Sequence, residues 1–224
     1  QPLGEKFSVL ASLHQTHNDG FYENRFNQSQ VDKLNSYSGR VKMQFAPSEM
    51  FKTVLNVQYE DSKQGGYPYA VFNDETMKAD DINYDMESIY NRQMFSAGLN
   101  IQYSGKRADV RLVSSFQALN DLQGIDQDFT EESLFYVDQD QKLDMFAQEI
   151  NIQSKENNTY DWMFGAFGFS QMLDKSVTVE YGDDGLSKYH LPYSDYYYTK
   201  WYDNSNSGIA FFHQSTIKFG GFSV

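Results

Sequence analysis

Strict alternation of apolar and polar residues is the feature that most limits what this chain can become. Between Ser36 and Phe45, the residues Tyr37, Gly39, Val41, Met43 and Phe45 alternate with Ser36, Ser38, Arg40, Lys42 and Gln44. Successive side chains of an extended strand point to opposite faces, so this run predicts a strand with one apolar and one polar face. Ala46-Pro47-Ser48-Glu49 reads as a short turn. Phe51, Thr53, Leu55, Val57 and Tyr59 then alternate with more polar neighbours, which completes a hairpin. The pattern returns at Phe95 to Tyr103, turns at Ser104-Gly105-Lys106, and continues from Val110 to Phe116. A third pair runs through Phe146, Ile150 and Ile152, turns at Lys155-Glu156-Asn157-Asn158, and resumes over Tyr160 to Ser170. In that pair the register slips between Ala147 and Ile150, which a bulge would absorb. An opening strand carries Phe7, Val9, Ala11 and Leu13 after the turn Pro2-Leu3-Gly4-Glu5. A closing strand carries Ile209, Phe211, His213, Ser215 and Ile217 before Gly220-Gly221.

This predicts an all-β, antiparallel, up-and-down arrangement of about eight strands. Its connections are unequal. Short turns lie near Pro2, Pro47, Gly105 and Asn157, while long connections cover about 18–36, 61–90, 119–142 and 172–207. Because strands alternate in direction, every short turn falls at one end and every long loop at the other. Transmembrane β-barrels segregate their connections in this way, with strands of about 9–11 residues crossing the bilayer. The four long connections hold 23 acidic and 8 basic residues out of 31 and 18 in the chain, so the net charge of -13 comes from the long-loop end.

Composition excludes several classes. The chain has 224 residues and no cysteine, which removes disulfides, thiolate metal sites and thiol catalysis. Its acidity argues against a nucleic-acid partner. Its 17 Tyr and 18 Phe argue against a disordered acidic tail. No apolar run is long enough for a transmembrane helix. Gln1 opens the chain without a signal peptide, which reads as a mature form or a fragment.

No catalytic constellation is present, and the expectation is a protein without enzymatic activity. Neither a phosphate-cradling glycine loop nor a nucleophile elbow occurs. His14 and His17 fall on opposite faces of one strand, so they do not form a metal pair. Gly182-Asp183-Asp184-Gly185 reads as a turn. Two feature classes remain. Aromatic residues crowd the long connections: Tyr67, Tyr69, Phe72 and Tyr84 in one, Tyr189, Tyr193, Tyr196, Tyr197 and Trp201 in another. Tyrosine gives rigid, amphipathic contact area at low entropic cost, which suits small-molecule ligand capture. Such residues also form the aromatic girdles of membrane barrels. Asp80, Asp81, Asp85, Asp126 and Asp128 are candidate oxygen ligands for calcium, although neither stretch has EF-hand spacing.

The ordered runs of this chain resemble those of the TonB-dependent outer-membrane receptors. Pro2-Leu3-Gly4-Glu5-Lys6-Phe7 is similar to the turn before an early barrel strand, and Asp19-Gly20-Phe21-Tyr22-Glu23-Asn24 to the run that ends it. Ser36-Tyr37-Ser38-Gly39-Arg40 with Ala46-Pro47-Ser48 resembles the family's next strand and turn, and Tyr59-Glu60-Asp61 with Gly65-Gly66-Tyr67 continues it. Asp126-Gln127-Asp128-Phe129, Ala147-Gln148-Glu149-Ile150 and Tyr160-Asp161-Trp162-Met163-Phe164-Gly165-Ala166-Phe167 follow in the family's order.

The resemblance implies that residues 1–224 are a partial barrel domain, from the first half of a barrel of about 22 strands, without the plug domain or TonB box. It implies an outer-membrane protein of a Gram-negative cell that takes up a bulky nutrient such as an iron–siderophore complex. The ligand would bind at the extracellular loops. Partners would be outer-membrane lipid, the remaining barrel and plug, and TonB only through that plug. The alternative is a freestanding small β-barrel that binds or adheres without active transport.

Overall fold

In the computed structural model, residues 2–156, 159–192, 194–219 and 222–223 are described. Eight long strands follow one another: β1 (Phe7–Asn18), β2 (Leu34–Ser48), β3 (Phe51–Gly65), β4 (Ile89–Ser104), β5 (Ala108–Asp126), β6 (Phe135–Ser154), β7 (Tyr160–Tyr181) and β8 (Tyr197–Phe219). Each pairs antiparallel with the next in one meandering sheet. The segment Phe222–Ser223 pairs with the end of β8. Among the described residues β1 and β8 do not pair, so the sheet is an open arc.

Register fixes what each face presents, because directly opposed residues share a face. One row runs Phe7, Phe45, Thr53, Ile101, Leu112, Ile150, Ala166, Phe211 across all eight strands. The row one residue away on β2 to β8 is Gln44, Val54, Asn100, Val113, Glu149, Phe167, Ala210, on the other face. The first face is thus an apolar belt and the second is mixed and more polar. The apolar face is the more open. Along β6, Lys142, Asp144, Phe146, Gln148 and Ile150 are exposed, while Leu143, Met145 and Glu149 are half-buried and Ala147 is buried. A sheet bent toward its polar face crowds the side chains on that side, so the polar face is concave.

The expected slip between Ala147 and Ile150 is absent. The register of β6 is unbroken against both neighbours. Gln148 simply stands on the apolar face, opposite Ser114 and Gly168. The register shift in the sheet lies instead between Phe45 and Ser48, where Pro47 cannot donate to the ladder. That strand runs on to Ser48, so the turn is narrower than Ala46–Glu49 suggests.

The strands also outrun the alternation. β5 reaches Asp126 and β6 begins at Phe135, so the connection expected over 119–142 shrinks to eight residues, 127–134. The connection expected over 172–207 shrinks to 182–196. Beyond the belt both faces carry polar residues, as in Asn120 and Asp121 or Asp140 and Gln141. The ladder continues there without any alternation to reveal it. Gly182-Asp183-Asp184-Gly185 is not a turn but the start of the helix α1 (Asp183–Lys188), with acids in its first turn and Lys188 in its last.

Candidate functional site: the loop cap and the concave wall

The long connections are bound to one another in chain order. Residues 19–33 carry a small ladder between Glu23–Asn24 and Ser29–Gln30, and residues 66–88 another between Phe72–Asn73 and Lys78–Ala79. Asn24 is 1% exposed. Its side-chain amide donates to the Tyr84 carbonyl at 2.8 Å, and its Oδ1 accepts from the Tyr84 N–H at 3.2 Å. The Arg25 N–H donates to the Ile82 carbonyl at 2.9 Å. The second connection holds the third: the Asp85 N–H donates to the Thr130 carbonyl at 3.1 Å and the Met86 N–H to Asp126 Oδ2 at 3.2 Å. The third holds the fourth: the Gly182 and Gly185 N–H groups donate to the Leu134 and Ser133 carbonyls, each at 3.1 Å. The Ser133 N–H returns a bond to Asp184 Oδ2 at 2.9 Å. Gly185 is required where α1 presses on this connection, because a Cβ there would collide with the Leu134 carbonyl oxygen. Asn24, Val31, Tyr84, Ser88, Asp126 and Leu134 are buried in this cap, as are Gly66 and Gly185.

Asp126 is the cap's charged centre. It is 1% exposed and takes N–H donors from Met86 and Phe129, while its own N–H donates to Ser88 Oγ. Burial pushes its carboxyl up to about 7, reinforced by Asp128 and Asp85 and opposed by the two N–H donors. Burial beside Asp126 likewise pushes the Tyr84 phenol up to about 12.

The structure separates the aromatic candidates. Tyr67, Tyr69 and Phe129 form a ring cluster between the second and third connections, with centroids 5.7 and 5.3 Å apart. Phe72 is exposed on its small ladder. Tyr84 is 2% exposed and packs the loops together. Tyr189 and Tyr196 meet Tyr181 edge-on at 5.9 and 5.6 Å. Tyr193 lies outside the described residues. Tyr197 and Trp201 belong to β8, not to a loop, and share the apolar-face parity of Ile209 and Phe211. They point away from the concavity. Tyr198 and Tyr202 have the opposite parity and face it, with the Lys200 ammonium 5.7 Å from the Tyr198 ring centre.

The acidic candidates also divide. Asp81 pairs with Arg25 at 3.0 Å, and Asp80 accepts from Asn73 at 3.2 Å. Asp128 accepts from the Thr130 N–H at 3.0 Å. Among the described residues no three carboxylates or histidines gather in a position to hold a metal ion.

Below the cap, the concave face carries a polar wall that the sequence reading did not single out. Arg92 pairs with Glu60 at 2.5 Å, and the Tyr90 hydroxyl donates to Asp121 at 3.3 Å. Register places Gln141 and Lys175 beside Asp121 on the next two strands. Counting parity upward from the belt would have found these residues, since each stands an odd number of positions from an apolar-face residue.

No protein-family model matches this chain, and no curated relative does. Solved structures do match. The ferric yersiniabactin uptake receptor FyuA of Yersinia pestis aligns over 96% of this chain at TM-score 0.64 and 15% identity. The RagAB peptide importer in its closed-closed state aligns over 96% at TM-score 0.52 and 10% identity. This chain spans 39% and 29% of those two chains. The shared feature is the fold, that of a receptor-like barrel segment, and both neighbours are transport proteins rather than enzymes.

Proposed function

We propose that this chain is the early barrel segment of an outer-membrane nutrient receptor. The observation that carries this reading is the apolar belt and its drift. The lower margin of the belt is Phe7 on β1, whose register row holds Ile101, Ala166 and Phe211, and it falls past that row to Tyr103 on β4, Trp162 on β7 and Ile217 on β8, two, four and six residues beyond. A belt at constant height can drift across the register only if the strands tilt, and tilt with stagger is what barrel closure demands. On β7 the belt extends from Trp162 to Met172, before Asp174. At about 3.3 Å per residue and a tilt near 40°, that stretch rises roughly 25 Å, the height of a barrel's apolar band. Leu13, Ile209 and Phe211 are 92, 78 and 81% exposed. Each such side chain is worth about 1.5–3 kcal/mol when removed from water. Left in water, a whole belt would forgo more free energy than a net folding stability of about 5–15 kcal/mol.

The loop cap and the wall beneath it would receive the ligand, and transport rather than bond-making would be the activity. The cap's acidity favours a neutral or cationic ligand over a strongly anionic chelate. Iron–siderophore complexes and peptides are both within the range set by the two structural neighbours. Coupling to TonB would act through a plug, which residues 1–224 do not supply. The rival reading, a freestanding small barrel, needs β1 to meet β8, and the described edges stay apart.

Residues 1–224 contain no cysteine, so an introduced thiol is the only one in this segment. Phe72→Cys in the second long connection should react with a membrane-impermeant maleimide on intact cells, and Lys106→Cys in a short turn should react only after lysis. Labelling of Lys106→Cys on intact cells with protection of Phe72→Cys would reverse the orientation and end the receptor reading.

A further inference from the structure

The apolar face is not uniform. The β7 residues on it, Ala166, Gly168 and Ser170, are small, whereas Ile150 and Phe146 on β6 and Phe211 and Ile209 on β8 are large. The result is a trench along β7 that opens over Ala166 into a hollow of about 380 Å³, floored by Ala166 between Ile150, Ile152 and Phe211. Phe164 and His213 close its short-turn end as stacked rings 4.2 Å apart. There a polar chain begins. His213 Nδ1 donates to the Met163 carbonyl at 3.0 Å, the Ser215 hydroxyl donates to His213 Nε2 at 2.6 Å, and the Tyr160 hydroxyl donates to Ser215 Oγ at 2.9 Å. Trp162 shares this face beside them.

We infer that this trench seats one acyl chain of a phospholipid from the leaflet at the short-turn end. The inference rests on the reading that the belt faces lipid. Its width is one strand, which suits a single extended hydrocarbon chain and not a helix. Its β8 wall stands largely uncovered and its β6 wall partly so, and a chain laid between them gains apolar contact on both sides at once. The polar chain at Tyr160, Ser215 and His213 sets the direction: ester end toward Tyr160, methyl end toward Ser170. Hydroxyl and imidazole groups on a lipid-facing surface are at home where hydrocarbon gives way to headgroups, and tyrosine and tryptophan concentrate at that depth. The floor of the trench lies on β7, between two paired neighbours, and its outer wall is β8, the last long strand of the sheet.

The test is native mass spectrometry of the protein extracted from its membrane in mild detergent. One retained phospholipid is expected. Ala166→Leu fills the hollow and should lower that occupancy at least about fivefold. Gly168→Leu should do the same, and the fold has room for it, since the nearest atoms to a Cβ there lie at 3.7 and 3.8 Å. Val41→Leu, on the same face but four strands or more from the trench, should leave occupancy unchanged. Equal retention in Ala166→Leu and the parent overturns the inference, as does an extract without lipid. Quenching of Trp162 by brominated lipid separates the two failures. Quenching without a retained lipid removes the trench alone, and loss of quenching removes the membrane reading with it.

Discussion

Asn24 and Tyr84 are sixty residues apart and close a two-bond bracket, side-chain amide to carbonyl at 2.8 Å and backbone N–H to Oδ1 at 3.2 Å. No other side chain of that size supplies both a donor and an acceptor in one plane to a passing backbone. The bracket ties the first long connection to the second, and the bonds at Asp85, Asp126, Gly182 and Gly185 carry the tie to the fourth. Loops of 15 and 23 residues (19–33 and 66–88) would otherwise be the least stable parts of such a sheet. Here they form a platform over the concave wall.

Removing the bracket should open the cap locally. Asn24→Ala leaves a buried carbonyl and a buried N–H without partners, at about 1–3 kcal/mol each. The Tyr84 amide should exchange its hydrogen about tenfold to a hundredfold faster, while amides in the middle of β4 and β5 stay protected. Unchanged exchange at Tyr84 would show that the cap is held elsewhere.

Asp126 makes the cap sensitive to pH. Its carboxyl is raised from an ordinary 3.8 to about 7, so the folded cap binds a proton that the open one releases. The stabilisation is therefore fully present below pH 4 and is lost as pH rises through 7. After correction for intrinsic exchange, amide protection at Met86 and Phe129 should decline between pH 4 and 7 and level off above it. Asp126→Asn keeps an acceptor oxygen without the charge and should flatten the profile. A decline of the same size in Asp126→Asn would place the titrating group elsewhere.

Neighbouring residues on opposite faces should respond oppositely to a charge. Leu99 lies on the apolar face in the row of Leu55, and Gly98 on the concave face with open space where a Cβ would stand. Leu99→Arg should cost about 2–4 kcal/mol, the penalty for arginine on the lipid face of a barrel at mid-depth. Gly98→Arg should assemble normally. Equal yields of folded protein in the membrane would contradict the face assignment.

How far the sequence reveals this structure depends on what bathes each segment. Where one face is apolar and the other polar, as from Tyr37 to Phe45 or Phe95 to Tyr103, alternation shows the strand and its facing. Beyond the belt both faces carry polar residues, and residues 119–126, 135–142 and 197–207 read as loop although their ladders are continuous. Gln148 misleads for the opposite reason, as a polar residue on the apolar face that imitates a slip in register. Tyr197 and Trp201 look like loop aromatics in the sequence, and only the parity of β8 shows that they turn away from the concavity. The sequence marks Asn24 only as the end of the run 19–24, and nothing local pairs it with Tyr84, which it meets once β2 and β3 have formed their hairpin.

On the proposed function the apolar face of the arc lies in a bilayer, and Trp162 and Trp201 measure it. Trp162 stands at the lower margin of the belt. Trp201, opposite Ser176, stands beyond the upper margin, past Asp174 and Asp203. In membranes containing phospholipids brominated at defined carbons, with Trp162→Phe and Trp201→Phe assigning the signals, Trp162 should be quenched most by bromine near the headgroup. Trp201 should respond weakly to every brominated lipid and readily to aqueous iodide. Iodide access to Trp162 with no response to brominated lipid would place the belt in water and overturn the membrane reading.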